Sequence, residues 1–145
     1  MNILVVDDEK KFAKVLAERL RLRGFRATPV FDGTSALAQL QMAHFDGMIL
    51  DLRLPDLNGF AILDRLKENK SLRHIPVVIV SVLKPGKDTM HLGADAYLPK
   101  PIAPGQLLHT LNRILSPAST VLLVEDDRQL SDMLREALDR YGYTV

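Results

Sequence analysis

Residues 76–81 read PVVIVS, and Val77–Val80 is apolar and β-branched at every position. A strand with one wet face alternates apolar and polar residues. An unbroken run of this length fits a central strand of a parallel sheet, covered by helices on both faces. Pro76 opens the run and Ser81 closes it with a hydroxyl. On the N-terminal side, Met48–Leu50 and Ile3–Val6 have the same character, and Ala27–Val30 is a further short strand. On the C-terminal side, Ala96–Leu98 is a fifth.

The segments between the strands have helical spacing. Phe12, Val15, Leu16, Leu20 and Leu22 form one stripe, and Gly24 stops it. Asp32 and Thr34 can cap a helix carrying Ala36, Leu37, Leu40 and Ala43. After a turn-rich loop from Pro55 to Gly59, Phe60, Ile62, Leu63 and Leu66 mark a third helix. Pro85 and Gly86 precede a short helix near Asp88–Leu92, and Pro104 is expected to start a last helix running to Leu115. Five β-α units in sequence give an α/β fold, a doubly wound parallel sheet of five strands between helices.

Length and composition agree. The chain has 145 residues, 47% of them hydrophobic, enough for one well-buried domain. Lys plus Arg is 19 and Asp plus Glu is 18, a net charge of +1. That balance gives no electrostatic reason to expect nucleic acid or a membrane surface as partner. Cysteine is absent, which excludes disulfides, zinc-thiolate sites and thiol nucleophiles and fits a reducing cytoplasm. No apolar stretch approaches the roughly 20 residues of a membrane span. Ile3–Val6 runs directly into Asp7, Asp8 and Glu9, unlike a signal peptide.

Sites in open parallel sheets form at the C-terminal strand ends. The polar residues there are Asp7 and Asp8, Asp51, Ser81 and Lys100. Carboxylates brought this close repel one another, so without a cation at least one should have a raised pKa. Clustered hard oxygen donors suit Mg2+, which keeps several waters and bridges to phosphate oxygens. Lys100 adds a mobile positive charge and Ser81 a donor. The set points to a carboxylate nucleophile attacking a phosphoryl group while cations neutralise its equatorial oxygens.

The pieces ILVVDDE, MILDLRLPDLNG, PVVIVSV and LGADAYLPKP resemble the receiver domain of response regulators in bacterial two-component signalling, over Met1 to about Leu115. The resemblance implies a flavodoxin-like sheet of order 2-1-3-4-5 and a phosphorelay function. A histidine kinase or histidine phosphotransfer domain would pass its phosphoryl group to Asp51. Asp8 would bind Mg2+ directly, Asp7 mainly through water, and the backbone carbonyl of Arg53 would be a further ligand. Ser81 and Lys100 would contact phosphoryl oxygens, and Tyr97 would be the switch aromatic together with Ser81. The Lys100–Pro101 bond would be cis. Such a domain is a phosphoacceptor that catalyses its own phosphorylation and dephosphorylation, not an enzyme in the ordinary sense.

Two features depart from the common pattern. Val82 follows Ser81 where many members carry alanine, and Ser81 and Lys100 are only 19 residues apart. The form SVL…LGADAYLPKPI is similar to receivers in hybrid kinases or tandem arrays. Two other readings compete. A phosphatase of the haloacid dehalogenase type would carry its nucleophile in an Asp-x-Asp pattern after the first strand, where Asp7-Asp8-Glu9 stands. A non-phosphorylated interaction domain would not need the full set of acids, hydroxyl and lysine. The histidines at 44, 74, 91 and 109 have no metal-ligand spacing and read as surface or partly packed residues. Lys10, Lys11, Lys14, Arg19, Arg21, Arg23 and Arg26 make the first helix region basic, either a solvated face or a docking surface for an acidic partner.

After Ser116–Ser119 the chain begins again. A shift of 118 residues aligns Leu4, Val6, Asp8, Leu16, Glu18, Leu20 and Gly24 with Leu122, Val124, Asp126, Leu134, Glu136, Leu138 and Gly142. The expected organisation is a receiver at 1–115, a linker at 116–119, and at 120–145 a C-terminal β-α extension, the truncated first strand and helix of a second receiver. Val121–Val124 would be its strand, and Leu130, Met133, Leu134, Ala137 and Leu138 its helical stripe. That stripe is expected to pack on another surface, either a second copy of the chain, making a homodimer, or the first domain of its own chain.

Overall fold

The computed structural model describes residues 1–83, 93–103, 105–115 and 126–140. Contacts divide the chain into two compact units, Met1–Leu107 and Leu108–Val145. The strands are β1 (Asn2–Val6), β2 (Arg26–Val30), β3 (Gly47–Leu50), β4 (Val77–Ser81) and β5 (Ala96–Pro99). The helices are α1 (Lys10–Leu22), α2 (Gly33–Met42), α3 (Gly59–Glu68), α4 (Gln106–Leu115) and α5 (Arg128–Arg140).

The sheet has the order β2-β1-β3-β4-β5 with all neighbours parallel, as expected. Every residue of β3 and β4 is buried, which is why neither alternates. Leu4, Val6, Met48, Leu50, Val77 and Ile79 form one core with Ala36 and Leu40 of α2 and Ile62, Leu63 and Leu66 of α3. Helix α1 buries Ala13, Leu16, Ala17 and Leu20, the spacing of a single face, whereas Val15 and Leu22, expected in its apolar stripe, lie off that face and are exposed. Its end is a left-handed turn at Gly24, φ +88°, a conformation costly for any residue with a Cβ. Asp32 caps α2 by accepting from the Ser35 N–H at 2.6 Å, and Asn58 caps α3 from the Phe60 N–H at 2.9 Å.

The strands run up to one residue longer at an end than the pattern indicated, because the ladder extends past the last apolar side chain. Helix α4 starts at Gln106 and not at Pro104, since Gly105 at φ +81° cannot belong to a right-handed helix. The expected helix near Asp88–Leu92 and the expected strand Val121–Val124 lie outside the described residues.

In the second unit, α5 begins where the Asp127 carboxylate accepts from Gln129 and Leu130 N–H groups at 2.9 and 3.2 Å. Helices α1 and α5 are each 13 residues long, and their bounds differ by the same 118 positions as the sequence repeat. None of the α5 residues is buried, and Leu130, Met133 and Leu134 are exposed.

Candidate functional site

The parallel register places the chemistry. Val6 lies opposite Leu50, Leu50 opposite Ile79, and Ser81 opposite Pro99. The next residues therefore leave one edge of the sheet together. The ladder carries on into them: Asp51 N–H donates to the Val6 carbonyl at 2.9 Å, and Lys100 N–H to the Ser81 carbonyl at 3.0 Å.

Asp7, Asp51 and Ser81 are buried, while Asp8 is exposed. Asp51 accepts from the Ser81 hydroxyl at 2.9 Å and from the Arg53 N–H at 3.1 Å through the same oxygen, Oδ1. Its other oxygen meets the Lys100 ammonium at 3.0 Å, and that ammonium reaches Asp7 Oδ2 at 2.6 Å. The remaining Asp7 oxygen accepts from the Glu9 N–H at 2.9 Å. The Lys100 ammonium also lies 4.5 Å from the centre of the Phe12 ring, whose negative face favours a cation.

One ammonium serves two buried carboxylates, Asp7 and Asp51, and the proton affinities reflect it. Burial pushes the Asp7 carboxyl above its ordinary value, and this outweighs the bonds from Lys100 and Glu9 that favour ionisation. Burial works against the charged form of Lys100, but its hydrogen bonds to Asp7 and Asp51 prevail and hold its pKa above the ordinary value. Repulsion within the cluster predicts a raised carboxyl; Asp7 is raised, but chiefly by burial, and the neighbouring Asp51 charge adds least.

Asp7, Asp8 and Asp51 can each present one carboxylate oxygen with all three oxygens within 4.8 Å of one another. Three hard donors, two buried and one open to water, fit a small hydrated divalent cation. They carry more negative charge than Lys100 balances, so the donor set is suited to Mg2+.

Tyr97 packs against the core, and its hydroxyl is buried with no hydrogen-bond partner among the described residues. Burial and the charge of Asp51 raise its pKa. The Lys100–Pro101 bond is cis, as the resemblance implied. His44, His74 and His109 are exposed, His44 beside Asp46 at 3.4 Å; His91 lies outside the described residues. Sequence reasoning missed the position of Phe12 under Lys100. It also missed Phe31, whose ring has the Lys10 and Lys14 ammoniums at 5.5 and 5.8 Å. Phe12 reads as part of the apolar stripe of the first helix, and the pattern assigns Phe31 no role.

A family profile described as the response regulator receiver domain matches residues 3–112. The chain belongs to that family. Among relatives, it is 34% identical over 139 residues to the sensory transduction protein RegX3 of Mycobacterium bovis, covering 94% of this chain and 58% of that protein. It is 30% identical to the transcriptional regulatory protein CusR of Escherichia coli, covering 97% of this chain and 62% of that one. The chain thus spans about three-fifths of the length of these curated relatives.

Among solved structures, the receiver domain of the Francisella response regulator 1452 superimposes with a TM-score of 0.72 at 29% identity, covering 79% of this chain and 95% of that one. The receiver domain of the sensor histidine kinase PA1611 of Pseudomonas aeruginosa, with a magnesium ion coordinated in its active-site cleft, gives 0.71 at 27% identity, with 79% and 96% coverage. Five parallel strands in the order 2-1-3-4-5 are the shared flavodoxin-like frame. Among the described residues no helix is long and apolar enough to cross a membrane.

Proposed function

We propose that Asp51 accepts a phosphoryl group, in a Mg2+-dependent reaction, from a histidine on a partner kinase or phosphotransfer domain in the cytoplasm. The observation that carries this reading is the convergence on one buried carboxylate of a hydroxyl, an ammonium and two further acids from separate strand ends.

An Asp51 carboxylate oxygen attacks the phosphorus. The bond from phosphorus to the donor imidazole nitrogen breaks, and its electron pair returns to the ring. Lys100 and the Ser81 hydroxyl, already at hydrogen-bond distance from Asp51, are placed to take two of the phosphoryl oxygens. Asp7, Asp8, Asp51 and the Arg53 carbonyl are the residues that would hold Mg2+. Bound there, the ion supplies charge neutralisation to the transferring group. Tyr97, whose hydroxyl has no partner among the described residues, and Ser81 are the switch pair, since Ser81 must leave its present bond to serve the phosphoryl group. The domain is a phosphoacceptor and not a turnover enzyme.

Incubation with acetyl phosphate and Mg2+, read by intact mass, tests this. The expected product is one added phosphoryl group that is absent without metal. A chain that instead hydrolyses the donor catalytically without retaining the group would favour a phosphatase, and one inert to it would favour a pure interaction domain.

Residues 116–119 are the proposed linker and 120–145 the proposed beginning of a second receiver, as in tandem or hybrid-kinase proteins. The support is that α5 repeats both the bounds and the acidic entry of α1 at one offset. The exposed Leu130, Met133 and Leu134 are then expected to pair with a second copy. Sedimentation should show a dimer that Met133→Glu dissociates, and a wild-type monomer would remove this part of the reading.

A further inference from the structure

One carboxylate outside the acid cluster makes more hydrogen bonds than its exposed position would suggest. Asp56 lies on the loop between β3 and α3, five residues after Asp51. Its Oδ1 accepts from the N–H groups of Gly33 and Leu57, both at 2.8 Å. Its Oδ2 accepts from the Thr34 N–H at 2.9 Å and from the Thr34 hydroxyl at 2.6 Å.

The first N–H groups of a helix have no partner inside it. In α2 the account closes with two aspartates. Asp32 takes Ser35, and Asp56, 23 residues along the chain from Gly33, takes Gly33 and Thr34. These bonds, together with the positive end of the helix, hold the Asp56 carboxyl well below the usual carboxylate range. The approach is close as well as polar. A Cβ on Gly33 would lie 2.7 Å from Leu57 Cβ and 3.0 Å from Leu57 Cδ1.

The other end of the loop is fixed separately. Gly59 N–H donates to the Leu52 carbonyl at 3.0 Å, and Arg53 N–H donates to Asp51 Oδ1 at 3.1 Å. Arg53, Leu54 and Pro55 therefore run between two anchors, the acceptor residue at one end and the first turn of α2 at the other. The Arg53 carbonyl sits on this bridge.

We infer that Asp56 is a positioning residue for the divalent cation: by tying the loop to α2 it presets the Arg53 carbonyl beside Asp51. This rests on the Mg2+ site proposed above. Without the tie, metal binding must first order the loop, and affinity falls while the reaction at saturating metal does not. Thr34 acts through the same tie, because its hydroxyl has Asp56 as acceptor.

The test titrates Mg2+ into the full chain by calorimetry and measures the acetyl phosphate reaction against Mg2+ concentration. Asp56→Ala is expected to weaken Mg2+ binding about tenfold, the low end for loss of an outer-shell support. The half-saturating Mg2+ for phosphorylation should rise by the same factor with the maximal rate little changed. Thr34→Val, which keeps the backbone bonds, should give a smaller loss of its own and none in the Asp56→Ala background. It also serves if Asp56→Ala does not fold. Wild-type Mg2+ affinity in Asp56→Ala, or a fall in maximal rate with unchanged half-saturation, would overturn the inference alone. A wild-type chain that binds no Mg2+ would overturn the functional reading and this inference with it.

Discussion

Gly59→Ala adds a single methyl group to the first residue of α3, and its cost can be worked from the geometry. The new Cβ would lie 2.6 Å from Leu52 Cα and 2.7 Å from the Asp51 carbonyl oxygen. Favourable carbon contacts begin near 3.5 Å, so the overlap is close to ~1 Å. The atoms met are backbone, which has no rotamer to change, so either α3 or residues 51–52 must shift. Overpacking of this kind costs about 1–3 kcal/mol. The better helix propensity of alanine returns at most about 1 kcal/mol, leaving a net loss near 1–2 kcal/mol. With a urea dependence of about 1–3 kcal/mol per molar, the unfolding midpoint should fall by roughly 0.3–2 M.

Gly24→Ala supplies the control. There a Cβ meets nothing within 4 Å, but φ is +88°, so the strain of about 1–2 kcal/mol is purely conformational. Gly24 follows α1 and precedes β2, at the sheet edge away from Asp51. Both variants should unfold earlier in urea, read by far-ultraviolet circular dichroism. Only Gly59→Ala should also weaken Mg2+ binding, because the atoms it displaces belong to Asp51 and to Leu52, the residue that follows it. Equal Mg2+ losses in the two variants, or a Gly59→Ala chain as stable as wild type, would refute the reasoning.

Asp8→Ala should weaken Mg2+ binding more than Asp7→Ala, since a direct ligand is lost in place of one acting through water; equal affinities in a calorimetric titration would contradict the assigned roles. Lys100→Ala leaves the buried Asp7 and Asp51 carboxylates without their ammonium and should cost about 3 kcal/mol in metal-free buffer. Mg2+ should recover part of that loss, and a variant as stable as wild type without metal would count against it. Asp56 has a depressed folded-state pKa, so its stabilisation is complete above the unfolded value of 3.8 and is lost as pH falls from there toward the folded value. In urea titrations below that pH, wild type should lose stability more steeply than Asp56→Asn, and parallel curves would refute the tie.

The site was legible wherever it follows from strand ends. In a parallel sheet every strand delivers its last residue to the same edge, so Asp7, Asp51, Ser81 and Lys100 could be collected by pattern alone, whereas the order of the strands came only from the family resemblance. Asp56 could not. Its partners are 22 and 23 residues distant and belong to a helix that already has a local cap in Asp32, so no short-range signal marks it. Phe12 was hidden for a related reason. Helical spacing assigns it to a face of α1, but only the fold brings Lys100 over its ring. The start of α4 was displaced because Pro104 looks like a first-turn residue, whereas the left-handed Gly105 postpones the helix to Gln106.

The central claim is that Asp51, and no other carboxylate of the cluster, receives the phosphoryl group. An aspartyl phosphate is an acyl phosphate, which borohydride reduces to homoserine while leaving free carboxylates untouched. The chain should therefore be incubated with acetyl phosphate and Mg2+, reduced, digested and mapped by mass spectrometry. The account predicts homoserine at position 51 in wild type and no phosphoryl uptake in Asp51→Asn. Homoserine at position 7 or 8, or a phosphoryl group retained in Asp51→Asn, would contradict it.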